Sequence, residues 1–267
     1  MGIKFHWMQR LHWACNPVGL RQMARELEDA NIVSVLLPYG PEGEDFSMYL
    51  PDIFGVSKNL KVMLALAAYA VSPEYASKTF YTAQRFGQNR LDLNLVAGRY
   101  SDKFAQMALD KYNRSPEEID THEKRVSITE NWMKKFSEII KQERYETKLA
   151  VVGSSETTIR IANEYADYLI INGWMINDGY LDKLKNTKPI LVLDPLILEP
   201  GQDPSSIEYV EYEFKKQPIH PIQGTFEEVE KMIKDLSESH KIYDFMIHTD
   251  QKDVTKLLKL CKKISSE

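Results

Sequence analysis

Short runs of apolar residues alternate with longer amphipathic stretches along most of the chain. The clearest example has apolar runs at residues 61–69 and 90–98, with a helix-like stretch between Ser72 and Gly87. Two strands joined by a helix form a βαβ unit, whose strands run parallel and are buried on both faces. The polar residues of such a unit collect where the strands end, here at Tyr69, Asn94 and Gly98.

The same alternation predicts eight strands, at residues 3–7, 32–37, 61–69, 90–98, 149–153, 168–171, 190–193 and 243–247. Helices are predicted between and after them, at residues 19–30, 46–54, 72–85, 115–142, 157–165, 180–184, 225–239 and 254–264. The count favours an α/β fold of the (β/α)8 TIM-barrel type over an open doubly wound sheet, and a barrel needs about 250 residues. We interpret residues 1–267 as one domain, with a short insertion after strand 7 at residues 201–223.

Composition narrows the classes of partner. The formal net charge of −5 argues against a nucleic-acid surface, which is expected to be basic. No apolar run approaches the roughly 20 residues that span a bilayer, and the N-terminal residues lead into no signal peptide. We therefore expect a cytoplasmic protein that binds neither nucleic acid nor membrane. Cys15 and Cys261 lie near opposite ends of the chain, and no element pairs His or carboxylate residues at ligand spacing, so no metal site is predicted.

A barrel builds its active site at the carboxyl ends of its strands. The strand ends of this chain offer a polar and aromatic rim: His6, Trp7, Tyr39, Tyr69, Asn94, Gly98, Gly153, Ser154, Ser155, Asn172, Asp194 and His248. The candidate catalytic residues in this rim are His6, Asp194 and His248. Each has a second interpretation: His6 as a packing residue, Asp194 as a turn carboxylate, and His248 as a hydrogen-bond partner of a substrate rather than a general base.

The segment Gly153-Ser154-Ser155-Glu156 ends a predicted strand and opens a predicted helix. Free N–H groups and the positive end of the helix dipole meet at such a turn, which suits a phosphate. An ordinary serine N-cap followed by an acid in the first turn has the same pattern. The residues alone leave both interpretations open.

Four motifs, in chain order, resemble the bacterial luciferase-like flavin-dependent monooxygenases. They are Asn94-Leu95-Val96-Ala97-Gly98, Asp120-Thr121-His122-Glu123-Lys124-Arg125, Gly153-Ser154-Ser155-Glu156 and Gly224-Thr225-Phe226-Glu227-Glu228-Val229. The resemblance is closest to a shortened member of the alkanesulfonate monooxygenase branch, and it covers essentially the whole chain.

This resemblance implies a TIM barrel that receives reduced FMN from a separate flavin reductase and reacts it with O2. A peroxyflavin would then oxygenate a small organic substrate, shielded by the protein from water. Two alternatives are a deazaflavin-dependent oxidoreductase of the same superfamily and a degenerate flavin-binding protein without oxygenase activity. Analogy with related barrels also implies a homodimer.

The resemblance implies a set of cofactor-binding residues by position: Asp45, Ala68, Tyr69, Asn94, His122, Arg125, Gly153, Ser154 and Ser155. The Gly-Ser-Ser turn would hold the FMN phosphate, and the end of the third strand would border the isoalloxazine ring. Asn94 would hydrogen-bond near the polar edge of that ring. His122 and Arg125 would approach the phosphate or the ribityl chain, and Asp45 occupies an acidic position beside the flavin pocket.

Overall fold

The chain folds around a closed barrel of parallel strands. The computed structural model describes residues 2–8, 17–38, 46–97, 119–144, 146–173, 179, 181–207, 222–249, 251 and 253–267. The strands in these residues are β1 (Lys4–Met8), β2 (Ser34–Leu37), β3 (Lys61–Ala67), β4 (Leu91–Val96), β5 (Leu149–Val152), β6 (Tyr168–Asn172), β7 (Lys188–Leu193), β8 (Pro195–Ile197), β9 (Ile222–Gly224) and β10 (Asp244–Ile247). All but β8 and β9 form the barrel, in the order β1-β10-β7-β6-β5-β4-β3-β2. The predicted (β/α)8 barrel is confirmed.

Helices flank the strands on the outside of the barrel. They are α1 (Pro17–Asp29), α2 (Leu50–Val56), α3 (Pro73–Gly87), α4 (His122–Glu143), α5 (Glu156–Tyr165), α6 (Phe226–His240) and α7 (Thr255–Ser265). A 3-10 turn at Phe46–Tyr49 precedes α2, which has Pro51 in its first turn. Within the short helix predicted at residues 180–184, the structure describes a 3-10 turn at Leu181–Lys183, and Leu181 and Leu184 pack partly buried against the core. None of the described helices is long and apolar enough to cross a bilayer.

The long helix α4 begins after Thr121, whose side chain accepts a hydrogen bond from the backbone N–H of Lys124 at 3.2 Å. This is an N-cap of the ordinary kind, and it satisfies one of the free N–H groups of the first turn. The helix start predicted at residues 115–118 lies outside the described residues. The cap fixes the segment at Asp120–Arg125 next to the carboxyl ends of the neighbouring strands, where it contributes to the site below.

An insertion follows strand β7, as predicted, but it begins earlier than residue 201. The strand β8 pairs in parallel with β9 as a separate two-stranded sheet. The helix α6 starts directly after this sheet with a capping box, in which Thr225 and Glu228 bond each other's backbone N–H groups. The small sheet therefore stands at the carboxyl end of β7, beside the barrel mouth.

Apolar side chains fill both faces of the barrel strands. The cluster inside the barrel contains Leu36, Met63, Ala65, Ala150, Ile170, Ile190 and Met246. A larger cluster lies between strands and helices, where the rings of Trp132 and Phe136 stack with centroids 4.7 Å apart. This double coverage explains why the strands are near-continuous apolar runs in the sequence.

The amino-terminal half of the barrel interior is polar. Its inward positions include Ser34, Asp92, Tyr168 and Asp244, which begin or nearly begin their strands. His6 lies among them: its Nδ1 is 2.7 Å from the Ser34 Oγ, and its Nε2 donates to the Asp244 Oδ1 at 3.2 Å. The packing interpretation of His6 thus describes what is observed.

The predicted position of His6 at the rim is wrong. His6 is the third of the five residues of β1 and is 3% exposed, because the strand continues to Met8 before it reaches the mouth. Its Ser-His-Asp contacts join residues 28 and 238 positions apart, so no sequence motif reveals them. Ser34 is also buried, so the three residues have no access to a substrate. The structure gives no support to a catalytic role for His6.

Asp92 carries a carboxylate inside this polar half of the barrel. Its Oδ1 accepts from the backbone N–H of Lys148 at 2.9 Å, and its Oδ2 lies 3.9 Å from the Lys61 Nζ. Burial raises the pKa of the Asp92 carboxyl, and the Lys61 ammonium offsets only part of that rise. The folded state therefore holds this proton more tightly than the unfolded chain does, and the ionised carboxylate costs stability at neutral pH.

Replacing Asp92 with asparagine is expected to raise the free energy of unfolding at pH 7 by about 1 kcal/mol or more. Asparagine keeps the carbonyl that accepts from Lys148 and removes the buried charge. The difference from wild type should shrink as the pH falls toward the ordinary aspartate pKa of about 3.9, where both side chains are uncharged. Urea denaturation at several pH values between about 4, near this reference pKa, and about 8 measures the difference in the free energy of unfolding. A variant less stable than wild type at pH 7 would contradict this, and exposed Asp235→Asn is the control.

Candidate active site at the barrel mouth

The carboxyl ends of all eight parallel strands lie at one end of the barrel, the mouth. The side chains that face inward there are partly exposed. Those described are Met8, Val96, Val152, Asn172, Val192, Asp194 and His248. Val152 is the most open of the apolar ones, at 37% exposed. Directly beneath them the interior is closed by the buried cluster around Ile170 and Met246. The barrel is therefore closed below its mouth, and apolar and hydrogen-bonding side chains lie next to each other at the mouth.

Asn94 lies in the barrel interior between two alanines. Strand register pairs it with Ala65 on β3 and with Ala150 on β5. The residue is 1% exposed, and its Oδ1 has no hydrogen-bond partner in the described part of the chain. Barrel interiors are usually filled by bulky branched side chains, and buried polar atoms are usually paired. A row of two alanines beside an unsatisfied acceptor is thus suited to a bound molecule that brings a donor.

Tyr69 and Arg125 are brought to the same side of the mouth. Tyr69 packs with Ala67 and Ile119 in a small buried cluster that Val96 borders. The buried guanidinium of Arg125 donates from Nη1 to the backbone oxygen of Ile119 at 2.7 Å. It thereby ties the first turn of α4 to the end of β3.

Three further residues of this region, His122, Ala68 and Asp45, are also predicted to bind the cofactor. His122 is exposed at the first position of α4, one turn before Arg125. Ala68 is buried among the residues that pack strands against helices, so its side chain faces away from Tyr69's cluster. Asp45 lies outside the described residues. The predicted roles of these three in cofactor binding stay predictions.

The turn after β5 carries the serine N-cap. Ser155 Oγ accepts from the Thr158 N–H at 3.1 Å and lies 2.8 Å from the Thr158 Oγ1. Gly153 has a φ of +147°, and a Cβ there would stand 3.0 Å from two atoms of Thr158, so the position requires glycine. Ser154 is partly buried between them. The N-cap interpretation is confirmed, and the turn follows the carboxyl end of β5, on the side of the mouth.

Asp194 and His248 follow neighbouring strands at the same height. Register pairs Leu193 of β7 with Ile247 of β10, and the His248 N–H donates to the Leu193 oxygen at 2.8 Å. Both side chains are partly buried at the mouth. The structure therefore brings two of the three predicted catalytic residues together and leaves His6 below them.

Sequence reasoning missed the two alanines and Ile119. Period-two alternation along β3 could have marked Ala65 as inward-facing, since it is two residues from Met63. Nothing local pairs Ala150 with Asn94, because that contact depends on the register between β4 and β5. Among the described residues, no group of three or more His, Cys, Asp or Glu side chains could hold a metal ion.

No family model matches the chain. Solved structures share its fold at low identity. Riboflavin lyase (RcaE), with modified FMN and substrate riboflavin, is 12% identical over 100% of this chain and 91% of its own, with a TM-score of 0.75. The oxygenating constituent of 3,6-diketocamphane monooxygenase from Pseudomonas putida, in complex with FMN, is 12% identical over 100% and 98%, with a TM-score of 0.71. The coenzyme F420-dependent tetrahydromethanopterin reductase from Methanopyrus kandleri is 10% identical over 99% and 98%, with a TM-score of 0.66.

Proposed function

We propose that the protein is an FMN-dependent monooxygenase that takes reduced FMN from a separate, transiently bound flavin reductase. The observation that carries the proposal is the unsatisfied Asn94 Oδ1, buried between two alanines in the interior of a closed parallel barrel, two residues before Val96 at the mouth. A flavin ring has an N–H donor at its polar edge, and this donor would satisfy the Asn94 acceptor. The FMN-bearing structures of the same fold support the same choice.

The chain's own residues divide the work between binding and proton handling. The turn at Gly153, Ser154 and Ser155 binds the phosphate with its N–H groups and the positive end of α5. Tyr69 and Arg125 close the mouth at β3 and α4, where they exclude water. Asp194 and His248 hold or move a proton at the substrate. Reduced FMN, when bound, supplies both electrons that activate O2, so that one oxygen atom enters the substrate and the other leaves as water.

Anaerobic titration with reduced and oxidised FMN, followed by rapid mixing with O2, tests this function. Quenching of flavin fluorescence on binding, and a slowed reoxidation of the bound flavin, are the expected results. If FMN binds tightly but the bound flavin is reoxidised as fast as free flavin, the protein is a flavin-binding protein without oxygenase activity. Failure to bind FMN at all would overturn the proposal. Binding of the deazaflavin F420 instead would favour the second candidate, a deazaflavin-dependent oxidoreductase, for which the F420-dependent reductase fold is the supporting observation.

The homodimer is part of the proposal and has a matching surface. Met48 is 74% exposed in the 3-10 turn before α2, and Tyr75 and Phe86 are each 65% exposed on α3. They line a groove of about 490 Å³ whose other residues include Pro51 and Ala83. Exposed apolar patches of this kind mark protein interaction sites. A second copy of the chain would cover them.

Replacing Phe86 with aspartate is expected to shift the protein to a monomer, because the charge would be buried in the interface. Analytical ultracentrifugation at micromolar concentration measures the mass, with 30.9 kDa as the value for one chain. Met232→Asp, an equivalent change on the exposed face of α6, is the control and should leave the mass unchanged. A wild-type protein that sediments as a single chain would contradict the homodimer.

A further inference from the structure

Four lysines lie at the amino-terminal end of the barrel interior, opposite the mouth. They are Lys4, Lys61, Lys148 and Lys188. Each stands two residues before a residue of the barrel interior, in the same order His6, Met63, Ala150 and Ile190. Because side chains alternate between the two faces of a strand, the four lysines face inward as well. Their strands are β1, β3, β5 and β7, where Lys148 directly precedes β5.

These four strands occupy every second position around the barrel. In a (β/α)8 barrel, one layer of the interior consists of four side chains from alternate strands. The four lysines therefore form one layer, which we call the lysine layer. Layers of this kind are usually filled by bulky branched apolar residues, and four like charges in one layer repel one another. The lysine layer thus differs from the apolar packing nearer the mouth of the same barrel.

Two lysines of the layer lie close to a carboxylate. The Lys61 Nζ is 3.9 Å from the Asp92 Oδ2. The Lys148 Nζ donates to the Asp167 Oδ1 at 2.8 Å, and both of these side chains are partly exposed. Each of these carboxylates also accepts a backbone N–H, so both are already engaged by the protein.

The other two lysines have no such partner. Lys4 and Lys188 are exposed and form no ion pair with any described residue. Asp244, which pairs with Lys4 in the strand register, bonds the His6 ring instead. Even with Asp92, Asp167 and Asp244 all ionised, the four ammonium groups leave one positive charge in excess. This end of the barrel interior is therefore positively charged.

The connections that lead into the strands at this end are also basic. Their exposed cationic residues include Lys58, Arg144, Lys185 and Lys241, and their exposed acid is Glu146. The chain as a whole has a formal net charge of −5. The lysine layer thus lies in a basic part of an acidic protein, where the surrounding charges raise the local concentration of anions.

We infer that the lysine layer binds a compact anion with two or more negative charges, of the phosphate and polyphosphate class. Neighbouring strands lie about 4.8 Å apart, so alternate strands are about 10 Å apart, and ammonium groups from different strands can reach one such anion. Lysine binds phosphate as a point charge, and several lysines add their attraction. A nucleic acid would need an extended basic stripe instead. Because the site lies at the end opposite the mouth, the inference does not depend on the proposed function.

Isothermal titration calorimetry of the flavin-free protein with pyrophosphate at low ionic strength tests the site. Binding is expected, with an affinity that falls as salt is added, whereas acetate at the same ionic strength should not bind. Absence of pyrophosphate binding, or equal binding of acetate, would overturn the inference. A short single-stranded oligodeoxynucleotide is the third probe. If it binds more tightly than pyrophosphate, the ligand is a nucleic acid and the compact anion is excluded.

A variant at the mouth distinguishes the two ends of the barrel. Ser154→Glu places a negative charge in the turn after β5, where the proposed function places the FMN phosphate. Pyrophosphate should bind this variant as tightly as wild type. If the variant loses pyrophosphate binding, the anion is held at the mouth, and the site at the lysine layer is refuted while the proposed function stands.

Replacing both Lys4 and Lys188 with methionine locates the site. Methionine keeps much of the apolar stem and removes the charge, so pyrophosphate should bind at least about tenfold more weakly. Lys135→Met combined with Lys259→Met, on the exposed faces of α4 and α7, removes the same charge and should keep the wild-type affinity. Lys4→Arg combined with Lys188→Arg should also keep it, which separates loss of charge from loss of structure. Equal affinities in the two methionine pairs would overturn the inference.

Asp92→Asn gives a change in the opposite direction. It removes the carboxylate next to Lys61, so pyrophosphate should bind at least about threefold more tightly. Asp235→Asn, at an exposed position of α6, should leave the affinity unchanged. Lysines that only keep this end of the barrel hydrated would show no gain in either variant. An Asp92→Asn protein with unchanged or weaker pyrophosphate binding would count against the site.

Discussion

Replacing Asn94 with leucine is expected to weaken FMN binding by about 100-fold while the fold stays as stable as wild type or becomes more stable. The two effects have one cause. The Asn94 Oδ1 is buried without a hydrogen-bond partner among the described residues, so the empty protein bears its desolvation cost and the bound flavin relieves it. Leucine has the same branching and the same number of side-chain heavy atoms as asparagine, and no polar atom. Fluorescence titration gives the FMN affinity, and urea denaturation without flavin gives the stability.

The control is the same substitution at an asparagine whose amide is satisfied. The Asn163 Nδ2 donates to the Lys183 oxygen at 2.9 Å, and its Oδ1 accepts from the Lys185 N–H at 2.8 Å. Asn163→Leu should therefore lose stability and keep its FMN affinity, the reverse pattern. If Asn94→Leu instead destabilises the fold and binds FMN normally, Asn94 is a structural residue and the cofactor has a different partner.

The barrel was predictable from the sequence because parallel strands are covered on both faces. The segment 61–69 is almost wholly apolar, and the structure has β3 at Lys61–Ala67, with the inside and the outside of the barrel both packed. The helix starts were predictable where a capping residue precedes an amphipathic run, as at Ser72 and Ser155. Both signals are local, so a single sequence contains them.

The height of a residue, meaning its position along the barrel axis, was not predictable from the sequence. This explains why His6 was wrongly placed at the rim. Height depends on strand register and on where each strand stops, which are set by contacts between distant segments. His6 and His248 both lie near strand ends in the sequence, yet one is bonded to Ser34 in the lower half and the other lies at the mouth. The same limit hid the alanines beside Asn94. It also hid the neighbourhood of Asp194 and His248, which are far apart in the chain.

Replacing Ser154 with glutamate is expected to weaken FMN binding by about 100-fold and to leave riboflavin binding nearly unchanged. The added carboxylate would stand in the turn between Gly153 and the N-cap Ser155, where the proposal places the phosphate. Riboflavin lacks that phosphate and would not meet the charge. The fold should tolerate the change, because an acid at the start of α5 interacts favourably with the helix dipole, by about 0.3–1 kcal/mol, and the Ser155 cap is untouched.

The ratio of the two dissociation constants is the decisive quantity, because it cancels any general damage to the pocket. Wild type should prefer FMN to riboflavin, and Ser154→Glu should abolish that preference. Ser239→Glu, the same exchange near the end of α6, should retain it. Equal weakening of both flavins would mean that the glutamate obstructs the ring or the ribityl chain. An unchanged ratio would mean that the phosphate lies elsewhere, and the turn after β5 would then be a helix cap alone.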